Sequence, residues 1–98
     1  MSVDKLLGAA GAACTSVASV NANAILLLPN ANRVGASIYN DSTANLYVKC
    51  GATASTTSYT VKMATLSYYE LPYGYTGQVD GFWDAANGNA RVTEFNFN

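Results

Sequence analysis

The sequence predicts an all-β protein: a single antiparallel β-sandwich, jelly-roll or Greek-key-like, of seven or eight short strands behind an N-terminal arm. Three observations point there. Val, Thr and Tyr recur in short alternating runs, the pattern of strands buried on one face. Turn-forming clusters punctuate those runs, drawing on 10 Asn, 8 Ser and 8 Gly. No segment sustains a helical period, and 98 residues make one domain with a thin core.

Residues 1–13 read as a short helix or an extended arm, because Ala and Leu favour helix while Gly8 and Gly11 weaken it. Residues 14–98 then form the single sandwich domain. The apolar run at 6–13 before Cys14 has the outline of a lipoprotein leader. It is too short, however, and Asp4 sits where a positive flank belongs, so lipidation is not expected. Small and apolar residues alternate with hydroxyls over 14–20, a strand. Residues 24–28 are continuously apolar up to Pro29, a strand buried on both sides or docked against a neighbour.

Residues 33–40 put Val34, Ala36 and Ile38 on one face, with Arg33, Ser37 and Tyr39 on the other. Residues 45–50 put Leu46, Val48 and Cys50 inward, with Tyr47 and Lys49 outward. Asp41, Ser42, Thr43 and Ala44 between them suit a turn, so the two runs are expected to form a hairpin. In that register Tyr39 and Tyr47 fall nearly opposite each other on the outward face. Residues 58–63 place Tyr59, Val61 and Met63 inward and Lys62 outward. A strand of open parity follows at 66–71 and ends at Pro72. Residues 72–77 form a turn-rich loop carrying Tyr73 and Tyr75. Residues 78–83 put Val79, Gly81 and Trp83 on one face, with Trp83 at the core centre, and Asp80 and Phe82 on the other. A turn at 84–89 leads to a last strand at 90–95. Gly77 and Gly81 suit a positive φ or a close approach of neighbouring groups.

The chemistry is mostly exclusion. A net charge of -1 with 11% charged residues leaves no basic footprint for nucleic acid. Half the residues are hydrophobic, which argues against disorder. No apolar run approaches the ~20 residues of a membrane-spanning helix. There is no histidine, so a histidine-based catalytic triad is excluded. Lys49 and Lys62 sit on outward parities, where a buried, activated lysine is not expected. Asp80 with Asp84, and Glu70 with Glu94, read as chance neighbours rather than a hydrolytic carboxylate pair. Asp41 with Asn40 and Ser42 reads as turn chemistry rather than a calcium loop. No glycine-rich segment has phosphate-loop spacing. Cys14 and Cys50 read as small buried thiols, too few for a disulfide framework or a zinc site, with a single bridge between them the open alternative. The expectation is a protein that is not an enzyme and takes no cofactor or metal.

Two positive signals remain. Tyr39, Tyr47, Tyr73 and Tyr75 are candidates for an interaction surface, since aromatic side chains anchor interfaces at low entropic cost. Arg33 is expected to pair with Glu70 or Glu94 at the sandwich edge, because those acids interrupt strand patterns where a neutral residue would serve. The low charge also favours association over free diffusion.

Short matching stretches run in order through about two-thirds of the chain. They comprise Asn32-Arg33, Ala36-Ser37-Ile38-Tyr39-Asn40-Asp41-Ser42 and Leu46-Tyr47-Val48-Lys49, with Gly51 and Ser55. They continue with Tyr59-Thr60-Val61, Tyr69-Glu70-Leu71-Pro72, Tyr75-Thr76-Gly77, Gly81-Phe82-Trp83 and Ala90-Arg91-Val92-Thr93-Glu94. In these stretches the chain resembles a group of small bacteriophage virion proteins and domains. The resemblance implies a β-sandwich used as a structural part of the particle, made in the host cytoplasm. The favoured role is a capsid decoration or cement protein, with the major capsid protein and further copies of itself, as trimer or dimer, for partners. The alternative is a tail, baseplate or fibre-associated adhesion domain that contacts host glycans through the four tyrosines. Residues 1–31 lie outside the resemblance.

Overall fold

The computed structural model describes residues 10–97. Those residues form eight strands and no helix: β1 (Gly11–Ala18), β2 (Asn23–Leu27), β3 (Arg33–Ser42), β4 (Leu46–Cys50), β5 (Val61–Met63), β6 (Tyr68–Glu70), β7 (Val79–Trp83) and β8 (Gly88–Asn96). They build two four-stranded antiparallel sheets, a front sheet ordered β1-β8-β3-β6 and a back sheet ordered β2-β7-β4-β5. The pairings β1 with β8, β2 with β7, β3 with β6 and β4 with β5 are those of one antiparallel ribbon rolled up on itself. That wrapping is a jelly roll, closed within each sheet by β3–β8 and β4–β7.

Most inward positions follow the alternation of the sequence. Val34, Ala36, Ile38, Leu46, Val48, Met63 and Val79 are buried, and Trp83 is fully enclosed among them. The Trp83 Nε1 has no hydrogen-bond partner among the described residues, so packing alone holds the ring. Gly81 serves a close approach: a Cβ there would meet the Cδ1 atoms of Leu26 and Leu46, each at 2.9 Å. Gly77 does the same beneath the ring of Tyr75.

Two β-bulges override that alternation. A register shift between Ile25 and Leu27 lets the successive residues Leu26 and Leu27 both turn inward. Ile25 is left 47% exposed, so this strand is not buried on both sides. A second shift between Arg33 and Gly35 buries Arg33 beside Val34. Arg33, expected on the outward face with Ser37 and Tyr39, is fully enclosed instead.

The expected hairpin between residues 33–40 and 45–50 does not form, because β3 lies in the front sheet and β4 in the back sheet. The chain changes layer at a polar corner. The amide of Asn40 donates to the carbonyls of Ala44 (2.8 Å), Met63 (3.3 Å) and Ala64 (3.0 Å). Its Oδ1 accepts from Ser42 Oγ at 2.7 Å. These bonds pull both the 42–46 connection and the 63–68 connection onto the end of β3, and Leu66 there adopts a left-handed φ of 61°. In this wrapping the sole consecutive pair among the described strands is β4–β5.

Other expectations shift more locally. The first strand starts at Gly11 rather than residue 14, so it takes in the last residues of the expected arm. The rest of that arm, residues 1–9, lies outside the described residues. Tyr59, expected inward, packs edge-on against Tyr47 with ring centroids 5.1 Å apart and is 44% exposed. Both cysteines are free, and Cys14 is exposed rather than buried.

Candidate functional site

Strand register fixes which side chains share the outer face of the front sheet. Ser16, Arg91, Tyr39 and Tyr68 form one cross-strand row. Cys14, Thr93, Ser37 and Glu70 form the next, followed by Ala12, Phe95 and Gly35. Small residues therefore floor one part of the face while aromatic residues rise around it. The result is a hollow of about 290 Å³ lined by Gly35, Ser37, Tyr68, Glu70, Tyr73 and Phe95. Tyr68 is 61% exposed and Tyr73 72%.

The hollow has one acceptor-rich wall. Tyr68 donates its hydroxyl to Glu70 Oε1 at 3.2 Å. At the margin Arg91 donates to Asp41 Oδ2 and Ser16 Oγ, each at 2.9 Å. This arrangement offers flat apolar rings, a hydroxyl at Ser37 and a carboxylate, the elements of stacking and hydrogen-bond recognition. It brings no nucleophile next to a base.

Tyr73 is positioned by a buried charge on the far side of β3. The Arg33 Nη1 donates to the carbonyls of Tyr75 (3.2 Å) and Gly77 (2.8 Å), and its Nη2 donates to the carbonyl of Leu28. Its Nε pairs with Glu94 Oε2 at 2.8 Å, one of the two carboxylate partners the sequence leaves open. Backbone bonds from Leu71 to Ala36 and from Gly74 to Val34 dock the start of the same loop onto β3. The 71–78 loop is thus tied at both ends, and Tyr73 stands over the hollow.

The four sequence-predicted tyrosines do not form one surface. Tyr39 and Tyr73 belong to the front face. Tyr47 lies on the outer face of the back sheet with Tyr59, Phe82 and the Lys62 ammonium, 5.6 Å from its ring centroid. Tyr75 packs against the core and donates its hydroxyl to the Gln78 carbonyl at 2.8 Å. Sequence reasoning missed Tyr68 and Phe95. The signal was present: one residue of the pair Tyr68-Tyr69 must face out of a strand, and Phe95 shares the outward parity of Arg91 and Thr93.

The acidic candidates are dispersed. Glu70 and Glu94 point to opposite faces of the front sheet, since Glu70 pairs with Ser37 while Glu94 pairs with Ala36. Asp80 is buried and accepts from Asn23 and Gln78, whereas Asp84 accepts from Asn45. Asp41 is engaged by Arg91 and does not converge with Asn40 and Ser42. Lys49, on the outward parity expected, donates to Ser58 Oγ at 2.7 Å. No group of three or more metal-ligating side chains occurs among the described residues. Tyr69 faces inward, and burial pushes its phenol above the usual range, with the nearby Cys50 thiol adding to the shift.

No protein-family model, curated protein or solved structure matches the chain.

Proposed function

We propose that this chain is a non-enzymatic structural protein of a bacteriophage particle, a decoration or cement sandwich seated on the outer capsid surface. One observation carries the reading: residues that make up the resemblance, far apart in sequence, meet in the framework of the jelly roll. Tyr75, Gly77 and Glu94 close one knot around the buried Arg33. Asn40 and Ser42 form the opposite corner, and Gly81 and Trp83 lie in the core. A pattern spent on framework rather than on a reactive cleft is what a structural module requires. Jelly rolls recur in viral shells, although a fold by itself assigns no role.

Quantitative mass spectrometry of purified particles tests this directly. A copy number equal to the major capsid protein, or a simple fraction of it, is the expected result. Absence from the particle overturns the reading.

The aromatic hollow favours a second reading, a tail, baseplate or fibre-associated domain that stacks host glycans on Tyr68 and Tyr73. A few copies per particle, with saturable glycan binding lost in a Tyr68→Ala, Tyr73→Ala double variant, would place the protein there.

A further inference from the structure

We infer that the free edge of β1 is the site at which a second copy of this chain docks, by two-fold antiparallel pairing centred on Thr15. The inference holds whichever part of a particle the protein occupies.

The four sheet edges are not alike. β5 and β6 are three residues each, too short to template a partner strand. β2 is interrupted by its bulge. β1 is eight residues long, pairs with β8 in unbroken register, and contains no charge and no proline. Nearly every residue of it is exposed, and among the described residues no strand pairs with its other side. Edges with those properties are the ones that recruit another strand.

The register says which backbone groups wait there. Ser19 donates its N–H to the Gly88 carbonyl at 2.9 Å, which sets the odd-numbered residues as the ones bonded to β8. The N–H and C=O groups of Ala12, Cys14, Ser16 and Ala18 therefore point along the free edge. These four positions are symmetric about Thr15. A second copy rotated about an axis through Thr15, perpendicular to the sheet, satisfies all of them at once. It sets Cys14 opposite Ser16 and Ala12 opposite Ala18 on the outer face. On the inner face Thr15 meets Thr15, and Ala13 meets Val17. Every row matches small with small, hydroxyl with hydroxyl or apolar with apolar.

Charge and apolar surface argue for the same occupant. The nearest ionic groups on β8 are already matched within the chain, Arg91 to Asp41 and Glu94 to Arg33, so two copies meet without like-charge repulsion. A slot of about 550 Å³ opens between β1 and β2 on this side, lined by Ala13, Thr15, Leu26, Leu28, Pro29 and Glu94. Leu28 is 66% exposed there, and Ile25 next to it is 47% exposed. Two-fold pairing sets the slots of both copies side by side and takes those aliphatic groups out of water.

The test uses the full chain at increasing concentration in sedimentation equilibrium, with a short bis-maleimide as a second probe. In this register the two Cys14 side chains share a face on adjacent strands, with Cα atoms within roughly 9 Å. A reversible dimer whose cross-linked peptides join Cys14 to Cys14 is the expected result. The double variant Cys14→Glu, Ser16→Glu puts like charges directly opposite across the axis, at exposed positions, while within each chain the new acid at 16 faces the Arg91 guanidinium. It is expected to weaken dimerisation roughly tenfold while its circular dichroism stays unchanged. Cys14→Pro, which removes an edge N–H without touching the β8 ladder, gives a second route to the monomer. A wild-type chain that stays monomeric at high concentration overturns the inference. So does a dimer that survives both variants or lacks the Cys14 cross-link.

Discussion

The two ends of β3 both bury a polar residue completely, and they do so differently. At its start Arg33 carries a full charge into the protein and gathers nearby Leu28 together with two segments remote in sequence, the 75–77 loop and Glu94. At its far end neutral Asn40 gathers the 42–44 turn and the 63–64 connection. A charged guanidinium has five donors in a rigid fork and can bind several carbonyls and a carboxylate together. It needs every partner, because an unmatched buried charge is far costlier than an unmatched amide. The lesson is that the loop carrying Tyr73 rests on a brittle joint, whereas the layer-crossing corner rests on a tolerant one.

That contrast can be broken by substitution. Arg33→Leu strands the Glu94 carboxylate and frees three segments, and is expected to cost about 3–5 kcal/mol in urea unfolding. Tyr73 should lose its order at the same time, visible as faster amide exchange through residues 71–78. Asn40→Ala removes a neutral amide and is expected to cost about 1–3 kcal/mol, with exchange in 71–78 unchanged. If the two variants are equally destabilised, the distinction between the ends fails.

Smaller effects sharpen it. The exposed pair Arg91–Asp41 has the same chemistry as Arg33–Glu94, with both side chains solvated. Arg91→Ala is expected to cost at most ~1 kcal/mol, with an effect that shrinks in high salt, while that of Arg33→Leu persists. The smallest expected change concerns Tyr69. Its phenol is held neutral above the ordinary value, so the folded state releases that proton at higher pH than the unfolded chain. Its contribution is complete below the unfolded value of about 10 and is lost as pH rises through the folded value. Tyr69→Phe should flatten the alkaline limb of a stability–pH curve, apart from any pH-independent cost of losing the phenol's hydrogen bond to Cys50.

Much of this architecture was legible in residue order. Alternation placed Val34, Ala36, Ile38, Leu46, Val48, Val79 and Trp83 inside, because side-chain direction in a strand follows a period of two that needs no knowledge of neighbours. The partnership of Arg33 with a strand carboxylate was also legible, since an acid in a strand core demands a cation. Bulges were not. A single inserted residue at 25–27 or 33–35 reverses parity without any mark in a run such as Ala24-Ile25-Leu26-Leu27, and so alternation by itself points Arg33 outward.

The candidate site was less legible than the fold. Two of the four tyrosines reached the front face, but Tyr47 went to the opposite side and Tyr75 packed against the core, while Tyr68 and Phe95 completed the hollow unannounced. The difference has one physical cause. A strand's sequence specifies which of its faces is buried, yet an antiparallel partner of any similar pattern satisfies its backbone. By itself the sequence determined an all-β sandwich, its strands and most of its core, and it excluded histidine chemistry. The tertiary structure alone decided that residues 33–42 pair with 88–96 and 68–70 rather than with 46–50. The reason lies in Asn40, whose buried amide is satisfied by turning the chain into the other sheet instead of back along its own.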